Sequence, residues 1–123
     1  MPANEETIVA LRAALAVSPD NIPLRRHLAQ SLLSLGYGKE ATEEYLAALR
    51  LDPDSPETKL GLAKAFLQQG KRSEALVAVE DIVNSPGAIG AAHVFYARLL
   101  YHAGDVPNAV AQYKLGVEID PTA

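Results

Sequence analysis

A chain of 123 residues with 49% apolar and 21% charged content has the size of one globular domain and too much apolar surface to stay unfolded. It holds no cysteine, which excludes disulfides and thiolate chemistry and points to an intracellular, cytoplasmic setting. A net charge of −4 speaks against general nucleic-acid binding, and no stretch approaches the roughly 20 uninterrupted apolar residues of a membrane span.

The start, Met1-Pro2-Ala3-Asn4-Glu5-Glu6, is acidic and polar where a secretory signal would be basic and then apolar. Apolar spacing predicts a first helix over Asn4–Val17. The next helices are expected over Ile22–Leu35 and Lys39–Leu51, with Gly36 between them. Ser55 is placed to cap a helix over Pro56–Gln69, since proline suits the first helical position and Glu57 the first turn. Gly70 separates that helix from one over Ser73–Asn84. The stretch 84–90 carries two glycines and a proline and reads as a longer turn or as a hinge. Beyond it, helices over Gly90–Ala103 and Pro107–Ile119 flank Gly104.

Gly36, Gly70 and Gly104 stand 34 residues apart, Ala29, Ala63 and Ala97 precede them in step, and Ala41, Ala75 and Ala109 follow. Residues 22–55, 56–89 and 90–123 therefore align without a gap as three units, each a pair of helices. The small residues let neighbouring helices approach, and glycine closes the first helix of each unit in a left-handed backbone. Leu11, Ala14, Leu15 and Pro19 repeat the spacing of Tyr45, Ala48, Leu49 and Pro53, so residues 1–21 match the second helix of a unit. The whole chain, 1–123, is expected to form one all-α domain: an α-solenoid of three helix-turn-helix repeats preceded by one N-terminal helix.

On Leu28-Ala29, Leu62-Ala63, Tyr96-Ala97, Ala41-x-x-x-Tyr45, Ala109-x-x-x-Tyr113, Leu51-Asp52-Pro53 and Ile119-Asp120-Pro121, the chain resembles the tetratricopeptide repeat family over all three units. Arg25, Lys59 and His93 replace that family's leading aromatic, and Pro86 comes one place early.

The resemblance implies that the first helices line a concave surface on which another protein is held. The positions carried over are Arg26, His27, Gln30 and Leu33; Leu60, Gly61, Lys64 and Gln68; and Val94, Phe95, Arg98, Tyr101 and His102. Gln30, Lys64 and Arg98 are equivalent and would form a row, beside an apolar strip of Leu60, Val94, Phe95 and Tyr101. Such a row orients an acidic or carboxylate-ended segment while the aromatic anchors supply affinity. The plainer reading makes Lys64 and Arg98 solubilising charges whose stems cover apolar surface. The clamp by which related co-chaperones grip acidic chaperone tails would fall on Arg26, Gln30, Gly61, Ala91 and Phe95. Of these only Arg26 keeps the expected charge, so that adaptor role is disfavoured.

Val110, Tyr113, Val117 and Ile119 would face outward at the end of the third unit with no further helix over them. Either the natural chain continues, making this the recruiting or regulatory part of a longer protein, or the face pairs with a second copy and gives a homo-oligomer.

Nothing resembles a catalytic site: there is no phosphate loop, nucleophile elbow or His-Glu-x-x-His motif. His93 occupies a packing position, and His27 and His102 share no metal-ligand spacing. Glu43-Glu44 and Glu5-Glu6 read as solvated surface. No cofactor or metal is expected, and the chain reads as a non-catalytic protein-interaction module. RNA binding is disfavoured by the acidic charge.

Overall fold

The computed structural model describes residues 4–122; Met1, Pro2 and Ala3 of the acidic start, and Ala123 at the end of the third repeat, lie outside the described residues. Its helices are α1 (Glu5–Val17), α2 (Ile22–Ser34), α3 (Gly38–Leu51), α4 (Pro56–Gln68), α5 (Arg72–Val83), α6 (Gly90–His102) and α7 (Val106–Ile119). Every boundary falls within one residue of the expected one, and the starts of α1, α2, α4 and α7 are set by local chemistry that sequence displays. Side chains of Asn4, Asn21, Ser55 and Asp105 accept from the backbone N–H groups of Thr7, Leu24, Thr58 and Asn108. Pro23, Pro56 and Pro107 lie in first turns, where an absent N–H costs nothing.

The first helix of each repeat ends in the same way. Gly36, Gly70 and Gly104 have φ of 87°, 77° and 89°. Around each, two backbone bonds close the helix: Gly36 N–H to the Leu33 carbonyl at 3.1 Å and Tyr37 N–H to that of Leu32 at 2.9 Å. The pairs Gly70–Leu67 and Lys71–Phe66, then Gly104–Tyr101 and Asp105–Leu100, repeat the arrangement.

The chain divides into two compact units, the first running to Ala75 and the second beginning at Leu76, so the division falls within α5. In the first unit α1 lays Ile8, Leu11 and Leu15 against α2, whose Leu28, Ala29 and Leu32 meet Ala41 and Tyr45 of α3 in one core. Helix α4 then packs against both α2 and α3. The Gln69 amide donates to Thr42 Oγ1 at 2.8 Å, and that of Gln68 donates to the Leu33 carbonyl at 2.8 Å.

Backbone approach is closest where glycines permit it. A Cβ on Gly61 would lie 2.3 Å from Tyr45 ring atoms, so the ring rests on the bare backbone of α4. In the second unit, a Cβ on Gly116 would come within 2.8 Å of the Gly90 carbonyl oxygen, which lets α6 and α7 touch along their backbones. Between α5 and α6 the stretch 84–90 forms a turn through Gly87, at φ 79°, before α6 begins at Gly90.

Candidate protein-binding surfaces

In the first unit Arg26, His27 and Gln30 project along one side of α2 and share a depression with Pro23, Tyr45 and Glu57. The Nε of Arg26 is buried there without a hydrogen-bond partner among the described residues. Burial drives the Tyr45 phenol up to about 12, with the Arg26 charge pulling it back. Glu57 and Arg26 also border the neighbouring depression together with Asp52 and Asp54, so its charge is mixed.

Two expected ligand contacts are core residues instead. Leu60 is 5% exposed and Phe95 4%. Both sit on helices whose buried arc exceeds a single stripe: Thr58, Leu60, Gly61, Leu62, Ala63 and Ala65 on α4, and Gly90, Ala92, His93, Phe95, Ala97 and Leu99 on α6. Gly61 is likewise unavailable, since Tyr45 covers it. Lys64 and Gln68 are exposed on α4, although Gln68 spends its amide on α2. His102 is exposed, with Tyr101 edge-on at 5.7 Å.

The second unit brings together residues that sequence assigned to two different faces. Val94, Arg98 and Tyr101 of α6 border one open depression of about 580 Å³ with Val110, Tyr113 and Lys114 of α7. The helices are adjacent and antiparallel, so positions one turn apart on α6 fall beside positions one turn apart on α7. Ala97 and Ala109 form its floor, small enough to leave the groove open. Val117 and Ile119, expected on the same outward face, lie outside this depression; Val117 is half-buried and Ile119 exposed.

Sequence reasoning missed the polar pairs that brace the helix pairs. Arg25 holds Glu44 at 2.8 Å and donates to the Pro19 carbonyl at 2.9 Å, so Glu44 is a half-buried partner rather than free surface. His93 is buried and meets Gln112 at 2.7 Å. The signal available was the shared separation of 19 residues in both pairs.

The family profile described as "TPR repeat" matches residues 30–70, and that described as "Tetratricopeptide repeat" matches residues 60–123. The chain belongs to the tetratricopeptide repeat family. A tetratricopeptide repeat and J domain-containing co-chaperone of Fusarium oxysporum f. sp. lycopersici is 34% identical over 111 residues, covering 85% of this chain and 21% of that protein. Small glutamine-rich tetratricopeptide repeat-containing protein 2 of Mycosarcoma maydis is 32% identical over 82 residues, covering 67% of this chain and 23% of its own length. The chain thus spans about a fifth of the curated relatives it matches. A thermophilic TPR protein of Thermus thermophilus superposes with a TM-score of 0.84 at 18% identity, over 95% of this chain and 66% of that one. MamA superposes with a TM-score of 0.77 at 20% identity, over 94% and 67%. The fold is all-α, an α-solenoid of tetratricopeptide repeats, a class of scaffold that is typically non-catalytic and serves protein–protein interaction. Among the described residues, no helix is long and apolar enough to cross a membrane, and no group of three or more His, Asp or Glu side chains could hold a metal ion.

Proposed function

We propose that the chain is a non-catalytic protein-binding module whose second unit receives a segment of another protein on the surface of α6 and α7. One observation carries this reading. Tyr101 and Val110 are 62% and 48% exposed beside Tyr113, forming a contiguous apolar surface with only Arg98 and Lys114 as charges on its edge. Large exposed aromatics around a floor of alanines are the anchors and pocket that protein recognition uses. The absence of cysteine fits a reducing, cytoplasmic setting for such an encounter.

The reading is tested by selecting displayed helical peptides on the wild-type chain and on a Val110→Glu/Tyr113→Glu variant. Both positions are exposed, so the variant is expected to fold. Enriched peptides should bind the wild type and lose the variant. Peptides that keep equal affinity for both would remove α6–α7 as the binding surface.

A second reading concerns what the module serves. Its resemblance to a J domain-containing co-chaperone supports a recruiting role within a longer protein whose activity lies elsewhere. Sequencing the complete reading frame decides it: a single continuous frame joining this module to a further domain is expected, and a frame holding these repeats alone would sink the idea.

A further inference from the structure

The first unit contains its own example of how such a surface is filled. We infer that the α6–α7 surface is a seat for an acidic amphipathic helix that presents a glycine, or another small residue, to Tyr113. This rests on the proposed function and names the partner's chemistry. Two repeat periods earlier, Arg26, Gln30, Leu33, Thr42, Tyr45 and Leu46 stand where Val94, Arg98, Tyr101, Val110, Tyr113 and Lys114 stand in the third repeat. There α4 packs on both α2 and α3, and Tyr45 is 5% exposed; the equivalent Tyr113 is 54% exposed. The same fold position thus occurs once covered and once open.

The covered copy shows what the occupant looks like. Tyr45 lies on Gly61, and further along α4 Ala65, Gln68 and Gln69 come against α3 at Gly38. Offsets of zero, four, seven and eight make one helical stripe, led by two small residues. The repeats also trade size at this position. Tyr45 is followed sixteen residues later by Gly61, whereas Val79 is followed at the same spacing by Phe95. A tyrosine at this place therefore goes with a small residue on the incoming helix, and Tyr113 is a tyrosine.

Charge and shape separate this seat from its covered twin. Arg98 replaces Gln30 and Lys114 replaces Leu46 while Val94 replaces Arg26, so two cations are gained and one is lost; the net positive charge sits at the rim and favours carboxylates on the occupant. Val106 replaces Gly38 at the head of α7, so the far end of the occupant must be small or apolar where α4 carries its glutamines. A second copy is a poor occupant in face-to-face pairing, because Arg98 and Lys114 of both copies would meet.

The test uses synthetic peptides of residues 55–70, the α4 segment, with Lys59→Glu and Lys64→Glu. A second acidic version carries Gly61→Leu as well, and a third keeps both lysines and the glycine. Each is titrated into the full chain, and backbone amide shifts are mapped by NMR. The acidic glycine peptide should shift amides of α6 and α7 and bind about tenfold more tightly than either other peptide. Arg98→Glu/Lys114→Glu should reverse the preference between the acidic and lysine versions.

Equal binding of all three peptides at α6–α7 would overturn the inferred chemistry and leave the proposed function standing. No α6–α7 shift with any peptide, with the displayed-helix selection also failing, would overturn both. Concentration-dependent association of the chain alone, with shifts at Tyr101 and Tyr113, would make a second copy the occupant and likewise overturn the inference.

Discussion

His93 Nδ1 lies 2.7 Å from the Gln112 side-chain oxygen, joining the first and second helices of the third repeat at the positions where Arg25 and Glu44 join those of the first at 2.8 Å. The position is thus a built cross-brace with interchangeable chemistry: an ion pair in one repeat, a hydrogen bond from the ring N–H to the amide oxygen in the other. Arg25 and Glu44 are both largely shielded, at 19% and 16% side-chain exposure, and Arg12 adds only a longer contact at 3.8 Å. Glu44→Ala leaves a guanidinium in half-buried surroundings without its carboxylate and is expected to cost about 1–3 kcal/mol in urea denaturation. The swap Arg25→His/Glu44→Gln, which transplants the later pair, should cost less than the sum of its two single changes. Strict additivity would show that the positions do not act as a unit.

Tyr45 and Gly61 give a second expectation. Alanine normally favours a helix over glycine by about 1 kcal/mol. Here its Cβ would stand 2.3 Å from the Tyr45 ring, so Gly61→Ala must push the ring or separate α3 from α4. A net loss of about 1–3 kcal/mol is expected, as for other overpacked contacts. Tyr45→Val first removes the obstacle, and Gly61→Ala added to it should then be neutral or stabilising. The same penalty in both backgrounds would mean that the ring is not what excludes the methyl.

Helix placement was legible because its determinants are local: capping asparagines and serine, first-turn prolines and the three closing glycines all act within a few residues of where they stand. The surfaces were less legible because exposure depends on what lies against a helix from other parts of the chain. Leu60 and Phe95 occupy family positions associated with ligands, yet the buried arcs of α4 and α6 extend over them. Val94 is carried over as a groove position and Val110 as part of the outward end of the third unit; only the α6–α7 pairing makes them neighbours. The Arg25–Glu44 pair is hidden for the same reason: Arg25 reads as a replaced aromatic and Glu44 as solvated surface until the helices meet.

At Gly70 the backbone is left-handed, with φ of 77°, while the space a Cβ would occupy is open to 4 Å. The cost of a side chain there is therefore conformational and not steric. Gly70→Ala should lower stability by about 1 kcal/mol. A D-alanine installed at the same position by semisynthesis suits this backbone and should show no such loss, or a small gain from the stiffer unfolded chain. Equal loss from both enantiomers would place the cause in contacts made outside the local backbone.

Alkaline stability should report on Tyr45. Its phenol rises from 10.0 to about 12 through burial, opposed by the Arg26 charge, so the folded state favours the neutral ring. In the unfolded chain the phenol ionises near 10, which makes the sign definite: the contribution is fully present below pH 10 and is lost as pH climbs toward 12. The two-unit difference corresponds to a loss on the order of 2–3 kcal/mol over that window. Tyr37, held by Glu5, and Tyr96, raised first by burial and then by Glu80 and Asp105, are shifted the same way and add to the slope. Comparing urea midpoints of wild type and Tyr45→Phe from pH 9 to 12 isolates the buried ring, since lysine titration is common to both proteins. The phenylalanine variant should lose stability less steeply above pH 10; parallel curves would show that Tyr45 ionises as easily in the folded chain as in the unfolded one.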